Sequence, residues 1–93
     1  MLTCCIQIGN SDNKLTQKEW ANFVDTTQRA IAFWAIDNHF FGGSPTWEAW
    51  QNVCWVFTIK EDNLLVLKNM LENVRKAFKQ DSVAVLSGQT EFV

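Results

Sequence analysis

The sequence predicts an α+β protein with a ferredoxin-like βαββαβ sandwich, in which two helices cover one face of a four-stranded antiparallel sheet. Four apolar stretches with the two-residue period of strands alternate with two stretches that have the 3.6-residue period of helices. The run 53–59 is apolar on both of its faces, which indicates a central strand with a second face to cover. Two interleaved right-handed crossovers then give the strand order 4-1-3-2.

The first strand and the start of the first helix have clear signals. Residues 2–8 alternate apolar and polar side chains, as a half-buried strand does. After a turn, Thr16 and Glu19 have the spacing of a capping box. Leu15, just before the cap, is placed to pack on Trp20 as a hydrophobic staple. Apolar residues at helical spacing follow, so this helix should bury one stripe.

The middle of the chain predicts a weaker strand and a long loop. The first helix is expected to end within residues 32–35, and the second strand to span 36–41. Glycine, serine and proline in residues 42–45 indicate a turn that closes this strand. Residues 46–52 are expected to form a loop that leads into the third strand at 53–59.

The last third of the chain predicts a second helix and the fourth strand. Asp62 is the expected N-cap of the helix, and apolar residues at helical spacing continue from 64 to 78. Residues 82–86 are expected to form the fourth strand, and residues 87–93 a tail that pairs at an edge or on a partner.

Length and composition indicate one domain, residues 1–93, with the hydrophobic content of an ordinary soluble protein. The net charge of −2 argues against nucleic acid as a partner, because nucleic-acid-binding domains usually carry a basic excess. The apolar run 1–6 is too short for a signal peptide or a membrane span. Three cysteines, with Cys4 and Cys5 adjacent and pointing to opposite faces, form no disulfide framework. We expect a cytoplasmic location, where thiols stay reduced.

Polar clusters collect at one edge of the predicted sheet. The end of the first strand shares this edge with the starts of the third and fourth strands, because the first runs antiparallel to both. The first helix also begins there, and its free amides suit an anion or an amide-rich contact. Ordinary turn and cap chemistry would use the same residue types. The candidate contact residues of this polar edge are Asn10, Ser11, Asp12, Gln51, Asn52, Asp81 and Ser82, with Trp47 and Trp50 as aromatic anchors.

The side chains on the sheet face away from the helices are predicted to be small and mostly uncharged. Such a face suits another sheet packed about 10 Å away, so we expect a homodimer. It lacks the exposed aromatic and basic residues with which RNA-binding modules of similar topology stack bases. The candidate assembly residues are Cys5, Gln7, Cys54, Val56, Thr58 and Ala84, and Thr3, Ser82 and Leu86 are expected on the same face.

Other candidate chemistry is weaker. His39 with the three cysteines has the wrong spacing for zinc, and no metal or cofactor is expected. Cys54 and His39 could pair as nucleophile and base on neighbouring strands, although a free cysteine more often packs as a small hydrophobe. The tryptophans Trp47, Trp50 and Trp55 could stack bases or sugars, or serve as core and dimer contacts.

Five short strings of the sequence resemble a group of small proteins encoded by bacteriophages and some actinobacteria. These strings are IGNSD (8–12), KLTQ (14–17), EW (19–20), WQN (50–52) and QDS (80–82). The resemblance spans most of the chain and implies a phage accessory protein, with no catalytic residues to carry over. Small non-enzymatic phage proteins often bind a host factor, including components of defence systems.

Three functions remain open from the sequence. The first is a non-enzymatic binding protein that self-associates through its sheet and engages a host protein or small ligand at the polar edge. The second is a cofactor-free enzyme of the dimeric α+β barrel type, which needs Asn38 or His39 as a polar group inside an apolar cavity. A solvent-exposed His39 would argue against it. The third is a nucleotide-binding sponge that uses the first helix N-terminus and a stacked tryptophan.

Overall fold

The computed structural model describes residues 1–10, 12–44 and 51–93, and it forms one four-stranded sheet with two helices. All three strand pairings are antiparallel. The sheet order is β2-β3-β1-β4, and counting from the β4 edge gives 4-1-3-2 for the same neighbours. The predicted α+β class is therefore confirmed. The elements are β1 (Leu2–Gly9), α1 (Gln17–Trp34), β2 (Asp37–Gly43), β3 (Asn52–Ile59), α2 (Glu61–Ala77) and β4 (Ala84–Gly88).

Both helices pack on one face of the sheet, where they bury a single hydrophobic core. Alternate residues of β1 and β3 point into this core, as the two-residue period of a strand requires. We call this side the covered face. Each large side chain that is fully buried contributes about 1.5–3 kcal/mol to folding. The largest fully buried apolar side chains are Trp55, Phe23, Phe57, Ile6, Ile31, Ile59, Leu67 and Leu71.

The N-terminus of α1 has the predicted capping box. The amide of Glu19 donates to Thr16 Oγ1 at 3.1 Å, and the amide of Thr16 donates to Glu19 Oε1 at 3.0 Å. Leu15 and Trp20, on either side of the cap, are both buried. The helix ends at Trp34, within the predicted interval.

The predicted N-cap of α2 is wrong. The helix begins at Glu61, and Lys60 holds the N-cap position without a side-chain hydrogen bond. Only this one residue separates β3 from α2, so the turn leaves no place for Asp62 as the cap. Glu61 and Asp62 instead lie in the first turn, where negative charge favours the helix dipole.

Strand β2 begins at Asp37 and ends at Gly43, so its end lies two residues later than the predicted span of 36–41. The glycines expected to form a turn pair with β3 instead, with Gly43 opposite Val53. A Cβ atom at Gly43 would collide with the backbone carbonyl of Asn52, so glycine permits the close approach of the two strands. The register shifts between Asn38 and Phe40, which leaves His39 in a bulge.

Strand β4 is also displaced from its predicted position, residues 82–86, and spans Ala84–Gly88. Ser82 precedes the strand, so its predicted place on the sheet face is wrong. Part of the predicted tail pairs with β1, since Ser87 lies opposite Cys4 and Gly88 lies opposite Thr3. In the described part of the chain, neither helix is long and apolar enough to span a membrane.

Candidate functional site

The polar edge encloses a cleft of about 450 Å³ at the end of β1 and the starts of β3 and β4. The structure brings four of the candidate contact residues together here, namely Asp12, Asn52, Asp81 and Ser82. Ser11, Trp47 and Trp50 lie outside the described residues. The remaining described lining consists of Gln7, Ile8, Gly9, Gln80 and Ala84.

Asn10 is a structural residue of this edge. Only 1% of its surface is exposed. Its Nδ2 donates to the carbonyl of Leu15 at 3.1 Å and to Gln51 Oε1 at 3.2 Å, and its Oδ1 accepts from the amide of Leu15 at 3.0 Å. Its own amide donates to the carbonyl of Gln51 at 2.8 Å. Asn10 therefore fastens α1 and β3 to the end of β1, and its side chain is not available to a partner.

Gln51 is likewise used inside the protein. Its Nε2 donates to Gln17 Oε1 at 3.0 Å, and Gln17 Nε2 donates back to Gln51 Oε1 at 3.2 Å. Gln17 is the first residue of α1, so this amide pair links the helix to β3. The sequence did not single out Gln17, because two amide side chains carry no signal of pairing across a long separation.

A lysine joins the two carboxylates of the edge. Lys14 Nζ lies 3.0 Å from Asp81 Oδ2 and 3.5 Å from Asp12 Oδ2. The hydrogen bond and the charge of Asp81, with a smaller effect of Asp12, raise the pKa of Lys14, which therefore stays charged. All three side chains reach solvent, so this is a surface network rather than a buried pair. The two charged residues that line the cleft, Asp12 and Asp81, are both acidic.

The N-terminus of α1 does not support the expected anion site. Glu19 already brings a carboxylate to this helix end, within the capping box. Its hydrogen bond from the backbone of Thr16 lowers the pKa of Glu19, so the carboxylate is charged at neutral pH. With the acidic lining of the cleft, this end favours amide or basic groups over an anion.

The turn before β4 holds its polar residues in a fixed place. Lys79 is left-handed at φ 56°, and the amide of Gln80 donates to the carbonyl of Arg75 at 2.9 Å. With the Lys79 amide donating to the carbonyl of Lys76 at 3.1 Å, this is a Schellman motif. Arg75 Nη1 also donates to the carbonyl of Gln80 at 3.0 Å. Asp81 follows directly on this anchored turn.

The sheet face opposite the helices, which we call the open face, carries an apolar row across all four strands. Phe40 lies opposite Val56, Val56 opposite Cys5, and Cys5 opposite Leu86. Phe40 is 54% exposed and Leu86 is 72% exposed. The register places all six candidate assembly residues on this face. Phe40 joins them because the bulge at His39 shifts the register of β2, which the sequence does not reveal. The flanking rows of the described sheet are Gly42–Cys54–Gln7–Ala84 and Asp37–Thr58–Thr3–Gly88.

The structure does not assemble the catalytic alternatives. His39 is exposed and its Nε2 lies 2.6 Å from Thr58 Oγ1, whereas Gly42 stands opposite Cys54. Asn38 is exposed as well and lines an open groove of about 460 Å³ with Phe41 and Trp55, and His39 lines another of about 540 Å³ with Val56, so neither residue lies in an enclosed cavity. Among the described residues, no group of three or more histidine, cysteine or acidic side chains could hold a metal ion.

The fold and the polar edge define a small α+β protein with one covered and one open sheet face. No family model and no curated protein matches the chain. Among solved structures it is similar to the de novo designed protein Foldit4, with a TM-score of 0.51 and 12% sequence identity over 97% of this chain and 96% of that one. At this identity the likeness shows the fold alone.

Proposed function

We propose that this protein is a small non-enzymatic binding protein of the ferredoxin-like fold that forms a homodimer through its open face. The observation that carries the proposal is the apolar row Phe40–Val56–Cys5–Leu86, which crosses the whole sheet with both ends exposed. A contiguous apolar surface of this kind marks an interaction site. The helices already bury most of the covered face, although Phe41 at its β2 edge is 58% exposed, so we place the dimer contact on the open face.

A second copy of the chain suits this surface. Apart from Asp37 at one corner, the three described rows carry no charged residue, so two open faces can meet without like-charge contacts. Four strands about 4.8 Å apart and about five residues long cover on the order of 300 Å² in projection. Two such faces bury on the order of 600 Å² in total, which is below the size of stable protein interfaces. The dimer should therefore dissociate on dilution.

The polar edge is proposed to bind the partner of this dimer. Asn52, the first residue of β3, and Asp81, in the turn before β4, both line the cleft, and their exposed side chains can exchange hydrogen bonds with amide and basic groups. This chemistry favours a protein partner over a phosphate ligand. The resemblance to phage proteins supports a host protein in the bacterial cytoplasm, including a component of a defence system.

Self-association is tested by light scattering across a dilution series, with a matched pair of variants. Val56→Lys places a charge in the apolar row and should shift the chain to monomers. Leu65→Lys makes a similar change of an apolar residue to lysine at a position on α2 that is 68% exposed, and it should leave association unchanged. A folded Val56→Lys protein that dimerises like the wild type would contradict the proposal.

Partner binding is tested by capture from a bacterial host lysate with two double variants. Replacement of Asn52 and Asp81 by alanine should abolish capture of the protein that the wild type retains. Replacement of Asn69 and Asp62, exposed residues of the same types on α2, should not. Circular dichroism and thermal melting check that both variants are folded. Equal capture by both would exclude the polar edge as the contact.

A further inference from the structure

The open face brings two cysteines from neighbouring strands into direct contact. Cys5 lies on β1 and Cys54 on β3, and their Sγ atoms are 3.3 Å apart although the residues are 49 positions apart in sequence. From this juxtaposition we infer that Cys5 and Cys54 are a modification site, at which a low-molecular-weight disulfide converts the two thiols into a reversible intrachain disulfide.

The sheet register makes the bond reachable. Cys5 is opposite Val56 and Cys54 is opposite Gln7, so the two cysteines are diagonal neighbours on the same face. Sheet twist shortens one diagonal of an antiparallel pair, which explains why two short side chains meet here. The sulfurs must approach by about 1.3 Å more to reach disulfide length. Backbone pairing continues on both sides of this position, so the strands are already held together.

A small reagent can reach the sulfurs of Cys5 and Cys54, but it cannot reach that of the third cysteine, Cys4. Cys5 and Cys54 are half-buried, and Cys5 lines a groove of about 300 Å³ beside Leu86 and residues 87–90. Cys4 points to the covered face and is 0% exposed. Burial also raises the pKa of the Cys4 thiol, which makes it a poorer nucleophile. Cys4 is thus an internal control.

Oxidised glutathione serves as the reagent, and the exchange balances in two steps. Burial first, then the contact with Cys54, raises the pKa of Cys5 to about 11. Either thiol can attack first with the same final products, and in one order Cys54 begins. Its sulfur loses a proton and bonds to one glutathione sulfur, and the other glutathione leaves and takes up a proton. Cys5 then loses its proton, attacks the Cys54 sulfur and displaces the second glutathione. The protein loses two hydrogen atoms and the reagent gains both.

The bond would join β1 to β3 at the centre of the open face. It would close a long loop and so restrict the unfolded chain, which is the main way in which a disulfide stabilises a protein. We expect the melting temperature to rise by about 10 °C or more. The inference does not depend on dimer formation, because the contact lies within one chain.

The test is mass spectrometry of the wild-type protein after incubation with oxidised glutathione. The native protein is held below the concentration at which it associates, then unfolded and alkylated. Before alkylation, we expect the protein to be lighter than the reduced protein by two hydrogen atoms. After alkylation, we expect one alkylated cysteine and a disulfide-linked Cys5–Cys54 peptide pair that dithiothreitol separates. Cys4→Ala should behave in the same way. Cys54→Ser should close no intrachain bond and should show no rise in melting temperature.

Other outcomes at equilibrium would overturn the inference. They are alkylation of all three thiols, a bond that includes Cys4, or a bond that joins two chains. Because the reaction is run below the association concentration, a failure cannot be explained by a second copy that hides the two cysteines of the open face. Persistence of a wild-type dimer with three alkylated thiols would reject the disulfide and leave the proposed function standing.

Discussion

The covered and open faces of the sheet consist of alternate residues of the same strands, yet they differ in size and burial. On β3 the covered face has Trp55, Phe57 and Ile59, all nearly or fully buried, while the open face has Val56 and smaller or polar side chains. Large side chains fill the space under the helices, whereas the small ones leave open grooves bordered by residues 87–90 and Phe92. One strand thus carries both the stability of the fold and the proposed association.

The largest expected effect separates the two faces directly. Phe57→Ala removes a fully buried ring from the covered face and should lower the free energy of unfolding by about 3–5 kcal/mol. Val56→Ala, on the half-buried open face, should cost less than about 1.5 kcal/mol. Urea denaturation at a concentration where the protein is monomeric measures both. Equal losses would mean that the open face is part of the monomer core.

The polar edge has a similar division between structure and contact. Asn10→Ala leaves the backbone groups of Leu15 without their side-chain partner and should cost about 1–3 kcal/mol. Asn52→Ala, at an exposed side chain, should change stability by less than about 0.5 kcal/mol. Denaturation curves of the two variants decide the matter. A stable Asn10→Ala protein would return Asn10 to the candidate contact residues.

The helix ends allow stability to change without touching the open face. Thr16 caps α1, whereas Lys60 leaves α2 without a side-chain cap. Lys60→Ser supplies the missing acceptor at an extended residue and should raise the unfolding free energy by about 1 kcal/mol. Light scattering should show unchanged association. An altered dimer would mean that the two faces are not independent.

The smallest effect is a pH dependence of the α1 cap. The pKa of Glu19 is lowered in the folded protein by its hydrogen bonds from Thr16. Its contribution is therefore present above the unfolded pKa of about 4.3 and is lost as pH falls through the lower folded value. Glu19→Gln keeps the hydrogen-bonding shape without the charge. The stability advantage of wild type over this variant should shrink on acidification in urea titrations; a constant difference would contradict the assignment.

Local patterns predicted much of the fold because their signals lie within a few residues. Thr16 and Glu19 identified the start of α1, and alternation around Phe57 identified the central strand. Strand β2 was misplaced because Gly42 and Gly43 are ordinary turn residues, and only the approach of Asn52 shows why glycine lies in the strand. Local propensity does not report such a contact between strands.

The predicted topology located the polar edge, but it did not predict which of its residues are structural and which line the cleft. Asn10 and Asn52 have the same side chain, and only the folded structure shows that one is buried in hydrogen bonds and the other lines the cleft. The contact between Cys5 and Cys54 was missed because it is diagonal and depends on sheet twist. Such distinctions depend on long-range geometry, which a single sequence does not encode locally.

Sedimentation equilibrium of the wild type beside Leu86→Lys and Leu65→Lys tests the central claim most directly. Leu86 lies in the apolar row on an edge strand and is 72% exposed, so lysine there should not disturb the monomer. The account predicts that wild type and Leu65→Lys approach twice the 10.7 kDa chain mass as concentration rises, while Leu86→Lys stays at 10.7 kDa. A wild type that remains at the mass of one chain, or a Leu86→Lys protein that dimerises equally well, would contradict it.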